Sequence, residues 1–315
     1  MSEQNNGFLI YAESKISIKI SGKAFHTLKS DFYSFNIATT KPVKAEKLPA
    51  KQINKIIKGF DIDMSTISKI KYDRSEYAKT FPIKLDKLSV RILETISPKV
   101  AKSFDGDPSL FVSALLEKYA TFSYVERERI YYNDFIKEVL HAKASGEIVD
   151  LTYHGQNYSI LPYDVRTDEW SSYNYLLGVE AENTKTMRCF RISFIDSVNI
   201  RSLRNDLRYI DPEQEDKIVR HINECGVMFF FSKPKTIKVK LTPEGKKLYD
   251  SIIFMRPPIH EGPKDDDDIY TFYCSEEQAM IYFRRLSKDA IIVSPASLRK
   301  KMAEEARKVW ENYNN

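Results

Sequence analysis

Lys15, Ser17 and Lys19 alternate with Ile16, Ile18 and Ile20 in KISIKIS. A strand with that pattern buries one face and shows two ammonium groups on the other, which is the chemistry of a contact with a polyanion. In SSYNYLLGV, Tyr173 and Tyr175 fall on one pleat face and Asn174 and Leu176 on the other, so a small sheet carries a row of phenols. In RCFRISFIDSVNI, Phe190, Ile192 and Phe194 alternate with Cys189, Arg191 and Ser193, which makes one face core and displays Arg191 on the other. Arg188 lies three residues before Arg191. A regular strand puts the two on opposite faces, and they share one only if Arg188 sits in the preceding loop.

Catalytic and metal chemistry find little to stand on. Cys189, Cys225 and Cys274 are far apart, without CxxC or Cys/His spacing, so neither a zinc site nor a disulfide framework is expected. His26, His141, His154, His221 and His260 are equally scattered, and no nucleophile or base constellation is visible. The chain is expected to be no enzyme and to need no cofactor. KDDDD at 264–268 lacks the spaced ligands and Gly of a calcium loop and reads as a solvated hairpin tip. No stretch approaches about 18 apolar residues, and MSEQNNGF lacks a basic segment followed by an apolar one. No membrane span or secretory signal is therefore expected, and the cytoplasm is the default.

The 315 residues suffice for two or three compact domains, and their net charge is +5. Residues 1–60 alone hold ten lysines against four acids, a larger excess than that of the whole chain. A basic N-terminal segment on a nearly balanced body is the electrostatic footprint of a polyanion binder.

The elements that must position these side chains come in three groups. In residues 1–130, KISIKIS precedes a helix at GKAFHTLKSDFYSF, a loop with Lys41, Lys44 and Lys47, and a helix at PAKQINKIIKGF. About 64 residues later the order repeats: the alternating strand KTFPIKLD, the helix KLSVRILETIS capped by Asp86, and PSLFVSALLEKYATF capped by Asp107 with Pro108 first. Residues 131–205 read as the helix NDFIKEVLHAKAS, stopped at Gly146, and four or five short strands. Residues 206–315 read as a connecting helix, an apolar strand VMFFFS, then a β-α-β-β-α-β succession and a closing helix.

The second strand–helix–helix unit, TFPIKLDKLSVRILETI…DPSLFVSALLEKY, resembles the ribbon-helix-helix family. The resemblance implies that two such units pair their strands into an antiparallel ribbon whose outward side chains enter the DNA major groove. Both units lie in one chain here, an intramolecular pseudo-dimer, and the groove-facing candidates are Lys15, Ser17, Lys19, Thr80 and Lys84.

The YHG turn, LPY, NYLLGV and the R-x-F-R-I run resemble the WYL domain, which implies an SH3-like β-barrel of the kind found in bacterial regulators and CRISPR-associated accessory proteins. The family's signature appears as Asn174-Tyr175-Leu176 and its closing motif as Phe190-Arg191-Ile192-Ser193-Phe194-Ile195. The match implies a cleft of rings and guanidinium groups formed by Tyr153, His154, Tyr163, Tyr175, Arg188 and Arg191. Arg presents a planar fork to phosphate and Tyr a stacking face, a pairing that suits single-stranded nucleic acid. Each residue also has a plainer reading: Tyr153 and Tyr163 as barrel aromatics, His154 as a turn residue, Arg191 as the partner of Glu180 or Asp196.

AIIVSPASLRKKM resembles the extension that follows WYL domains, which implies a ferredoxin-like dimerisation layer and a two-fold homodimer. The expected architecture is thus α+β and multidomain. The whole layout resembles the WYL accessory proteins of type VI-D CRISPR systems. It implies a non-enzymatic regulator that binds single-stranded RNA and stimulates an RNA-guided CRISPR nuclease. The alternative is a ligand-responsive transcription regulator that grips duplex operator DNA through its N-terminal domain.

Overall fold

The computed structural model describes Phe8, Ile10 and residues 15–35, 48–60, 67–68, 78–182, 187–201, 212–263 and 267–314. Lys41, Lys44, Lys47 and the first three residues of KDDDD lie outside them. Among the described residues the chain is a mixed α/β protein with eleven α-helices and three antiparallel sheets. It divides into two compact units, Met1–Val165 with Leu176–Arg208, and Arg166–Tyr175 with Tyr209–Asn315. No helix among the described residues is long and apolar enough to cross a membrane.

The first unit opens with β1 (Lys15–Ser21), α1 (Gly22–Phe35) and α2 (Ala50–Gly59), then β2 (Ala78–Lys84), α3 (Lys87–Glu94), α4 (Pro98–Ser103) and α5 (Pro108–Thr121). β1 and β2 pair antiparallel as a two-stranded ribbon, with Lys15 opposite Lys84, Ser17 opposite Pro82 and Lys19 opposite Thr80. Ile16, Ile18, Ile20, Phe81 and Ile83 turn inward onto the helices, including Ile53, Ile56 and Ile57 of α2. Asp86 and Asp107 accept the Ser89 and Ser109 backbone N–H groups, the caps expected of α3 and α5. The second unit's rhythm differs from the expected strand–helix–helix by one element, the short α4, which Ser97 caps and Pro98 begins.

α5 covers the edge of β1 that β2 leaves open. The Lys19 backbone N–H donates to Ser113 Oγ at 3.1 Å, and the Ser21 backbone and hydroxyl both donate to the Glu117 carboxylate. A ribbon edge satisfied in this way is not a template for a third strand. Below it, Asp31 of α1 is 1% exposed and accepts two hydrogen bonds from Arg127, at 2.7 and 3.0 Å, and one from the Tyr119 hydroxyl at 3.0 Å. This buried pair ties α1 and α5 to α6 (Tyr124–Tyr131), a helix whose capping box, Ser123 with Glu126, is legible in the sequence as S-x-x-E.

After α7 (Asn133–Ser145), closed by Gly146 in the left-handed region, come β3 (Ile148–Tyr153), β4 (Gln156–Asp168), β5 (Tyr173–Glu180), β6 (Met187–Arg191) and β7 (Ile195–Arg201). They hydrogen-bond in the order β6-β5-β4-β3-β7, a five-stranded sheet that is open rather than closed into the expected barrel. RCFRISFIDSVNI is not one strand. A single 3-10 turn at Ile192–Phe194 breaks it, Ser193 is buried, and the alternation that displayed Arg191 stops there.

The second unit holds the β4–β5 tip, α8 (Pro212–Cys225), β8 (Pro234–Leu241), α9 (Pro243–Ser251), β9 (Ile259–Glu261), β10 (Ile269–Ser275), α10 (Glu276–Phe283), β11 (Ala290–Ser294) and α11 (Ala296–Asn314). Its sheet runs β11-β8-β10-β9, following the β-α-β-β-α-β succession read from sequence. VMFFFS is a turn, not a strand. The buried Asp168 carboxylate explains why: it accepts the Val227, Met228 and Ser171 backbone N–H groups, which pins the segment in a bend. Gly226 permits that bend with φ +75°, where a Cβ would lie 2.2 Å from Trp170 Cδ1.

Candidate nucleic-acid interface

Two features of the first unit present chemistry for a nucleic acid. The first is the outer face of the ribbon. Lys15, Ser17, Lys19, Thr80 and Lys84 are all exposed, and the register sets Lys15 directly across from Lys84. Like charges facing each other across strands destabilise a ribbon by a few tenths to about 1 kcal/mol. An anion lying over the pair relieves that repulsion. Pro82 has its place on the same exposed face, opposite Ser17. Asn54 of α2, absent from the sequence reading because it sits off the isoleucine stripe, braces the end of β2. Its side-chain amide donates to the Lys84 carbonyl at 3.0 Å and accepts the Asp86 backbone N–H at 2.9 Å.

The second feature is a cluster of rings on the five-stranded sheet. Tyr153 ends β3, and its ring contacts His154 at 4.6 Å, Phe190 at 5.2 Å and Phe194 at 6.4 Å between centroids. Tyr158 of β4 packs on Phe190 at 5.1 Å. His154 occupies the two-residue β3–β4 turn with φ +50°, followed by Gly155 at +74°, and its exposed ring lies 4.8 Å from Phe194. Burial pushes the Tyr153 phenol above its ordinary range. It stays neutral, an acceptor and donor at the rim.

The arginines flank this cluster on different partners. Arg188, inside β6 rather than in a loop, ion-pairs with Glu180 and sits 5.8 Å from the Tyr158 ring. Arg191 stacks over the Phe194 ring at 4.7 Å and donates to the Tyr124 hydroxyl of α6 at 3.2 Å. It thereby joins the sheet to the helices under the ribbon, within one unit. Tyr163 and Tyr175 are placed elsewhere. Tyr163 is 7% exposed, with Lys143 Nζ 5.3 Å from its ring; Tyr175 is 6% exposed, with its hydroxyl 3.3 Å from Ser171 Oγ. Four of the six residues that the sequence assigned to the cleft therefore meet through rings and guanidinium groups. Tyr158, Phe194 and Tyr124 complete the group; Tyr158 and Phe194 stand beside the strand residues that were chosen, but nothing near Tyr124 in sequence points to Arg191.

Beside it lies a cavity of about 290 Å³ lined by Lys55, Tyr132, Asp134, Glu138, Ile195 and Asp196, among others. Lys55 Nζ stands 4.5 Å from the Tyr131 ring and 5.3 Å from that of Tyr132. Burial, with Lys51 and Lys58 nearby, brings its ammonium down to about 8.

No protein-family model and no curated protein matches the chain. Among solved structures, one described as the crystal structure of a CRISPR Cas-related protein aligns over 99% of this chain and 98% of its own, with a TM-score of 0.68 and 20% identity. The two share a fold along almost their whole lengths. A proteasome accessory factor B/C of Arthrobacter aurescens aligns over 89% of this chain and 52% of its own at 12% identity, and its TM-score of 0.24 is too low to carry an argument.

Proposed function

We propose that this chain is a non-enzymatic, nucleic-acid-binding regulator that serves a CRISPR system. The observation that carries the reading is the ribbon register, which gathers Lys15, Lys19 and Lys84 on one exposed face over a braced and edge-covered pair of strands. The ring cluster, with His154 exposed and Arg188 and Arg191 at its borders, supports single-stranded RNA as the ligand there, since unstacked bases lie on rings while guanidinium groups take phosphates. The full-length fold likeness to a protein described as CRISPR Cas-related supports the setting, a positive accessory factor of an RNA-targeting effector.

A second reading has its own support. A two-stranded ribbon has the width of a major groove, so operator DNA fits the lysine face while the ring cluster senses a nucleotide. In either case the second unit acts as a ferredoxin-like dimerisation layer. Val309, Trp310 and Tyr313, all exposed on α11, suit a second copy.

The test is fluorescence anisotropy of the full chain with labelled single-stranded RNA and with random duplex DNA, for wild type, Arg188→Ala and His154→Ala. The RNA reading expects RNA binding that weakens several-fold in both variants, while any duplex binding stays as it was. Binding of duplex alone, untouched by either variant, refutes it in favour of the operator reading.

A further inference from the structure

The four-stranded sheet of the second unit has two unlike faces. One packs Ile237, Val239, Phe272 and Ile292 against α9, α10 and α11. On the other, Lys238 and Lys240 of β8, Tyr273 of β10 and Ile291 and Val293 of β11 are exposed, Tyr273 at 45%. The register brings them close. Lys240 pairs with Ile291 on one side and Ile269 on the other, Lys238 pairs with Thr271, and Tyr273 pairs with Thr236. Tyr273 is therefore the diagonal neighbour of Lys238, about 7–8 Å away between backbones and well within the reach of both side chains. The His260 ring of β9 stands 6.4 Å from that of Tyr273.

The lysines differ from their neighbour on the same strand. Lys235 is held by Glu276 at 2.7 Å, on a carboxylate that also takes Ser297 and Lys301 and is thereby kept down at about 2. Lys238 and Lys240 make no ion pair or hydrogen bond through their side chains among the described residues. Two unspent ammonium groups beside an exposed phenol ring, at the middle of a sheet, match what a short single strand offers: phosphates for the lysines and a base face for the ring.

We propose that this sheet face is a second single-stranded RNA platform, on which Tyr273 stacks a base and Lys238 and Lys240 hold the adjoining phosphates. It shares only its ligand with the reading above, since all its residues belong to the other unit. A sheet platform of this kind carries two or three nucleotides. Asp267 and Asp268, just before β10, border the Lys240 end and turn a phosphate chain away from it, which keeps the footprint short. A second copy of the chain fits less well. A two-fold axis on this face collects four ammonium groups, and the carboxylate the face itself carries, Glu261 across Thr271, lies at its far edge on β9.

The experiment titrates the full chain into a short fluorescein-labelled single-stranded RNA at several salt concentrations. Tyr273→Ala weakens binding by about 5- to 150-fold, as the loss of one stacked base does, and Tyr273→Phe restores it. Lys238→Gln with Lys240→Gln lowers the slope of log affinity against log salt by about 1.4. Thermal melting establishes that these surface variants stay folded. Affinity and slope that survive both sets of changes, in a chain that still binds RNA, overturn the platform and leave the ribbon reading standing. The same survival with a loss of dimer in Tyr273→Ala overturns it in favour of a second copy. A chain that binds no single-stranded RNA at all overturns it together with the RNA reading of the ring cluster.

Discussion

The ribbon of β1 and β2 meets solvent along one whole face, whereas β5, held between β6 and β4 in the five-stranded sheet, is buried on both. Polar side chains have opposite fates in the two settings. On the ribbon, Lys15, Lys19 and Lys84 stand exposed on the outer face. In β5, Asn174 and Tyr175 must find partners inside, and they do so with Thr167 and Ser171. The proposed RNA contacts in this sheet therefore fall at its margins, where β3 ends at Tyr153 and β6 ends at Arg191.

The largest effect expected from breaking this contrast lies under the ribbon. Asp31→Ala strands Arg127 as a buried, unpaired cation and costs about 3–5 kcal/mol, read as a lower urea midpoint. A loss below 1 kcal/mol means that water or a rearrangement reaches Arg127, and that the ribbon's frame is softer than its geometry. Charge reversal on the ribbon comes next. Lys15→Glu with Lys84→Glu weakens nucleic-acid binding by about 10- to 100-fold and leaves the melting temperature almost unchanged, because the altered side chains are exposed.

At the margin of the sheet, Arg191→Ala removes both a ring stack and the hydrogen bond to Tyr124, for a loss of about 1–2 kcal/mol in stability. Arg188→Ala, on a half-exposed pair with Glu180, costs under about 1 kcal/mol. Equal stability losses at the two positions contradict the different placements described for them. Lys55 supplies a titration. Its folded pKa of about 8 lies below the ordinary lysine value of 10.5, so the fold carries a charging penalty below pH 8 that fades as pH rises toward 10.5. Stability of wild type minus that of Lys55→Met should rise across that window, and a flat difference disproves the burial of the amine. The smallest effects belong to the interior phenols: Tyr163→Phe and Tyr175→Phe should leave RNA affinity within about twofold, because neither ring is on the surface.

How much of this was legible depended on whether neighbours in sequence are neighbours in space. Alternation in KISIKIS and KTFPIKLD gave the ribbon, its inward isoleucines and its outward lysines, and the caps at Asp86 and Asp107 fixed where α3 and α5 begin. The same rule failed at RCFRISFIDSVNI, where a 3-10 turn resets the faces, and at VMFFFS, where a distant carboxylate bends an apolar run. α6 was announced by its capping box and could have been read. Other features arise from long-range meetings that no local pattern encodes: Asp31 with Arg127, Arg191 with Tyr124, and Lys55 on the rings of Tyr131 and Tyr132. The resemblance to the WYL domain brought attention to six residues, and burial then separated Tyr163 and Tyr175 from the four at the margin.

The central claim is that the lysine face of the ribbon lies against a phosphate backbone. The salt dependence of binding tests it most directly, for wild type and for Lys15→Ala with Lys84→Ala on the same labelled duplex DNA. Two lost phosphate contacts should lower the slope of log affinity against log salt by about 2. A slope and an affinity identical to those of wild type would mean that the ribbon touches no duplex DNA.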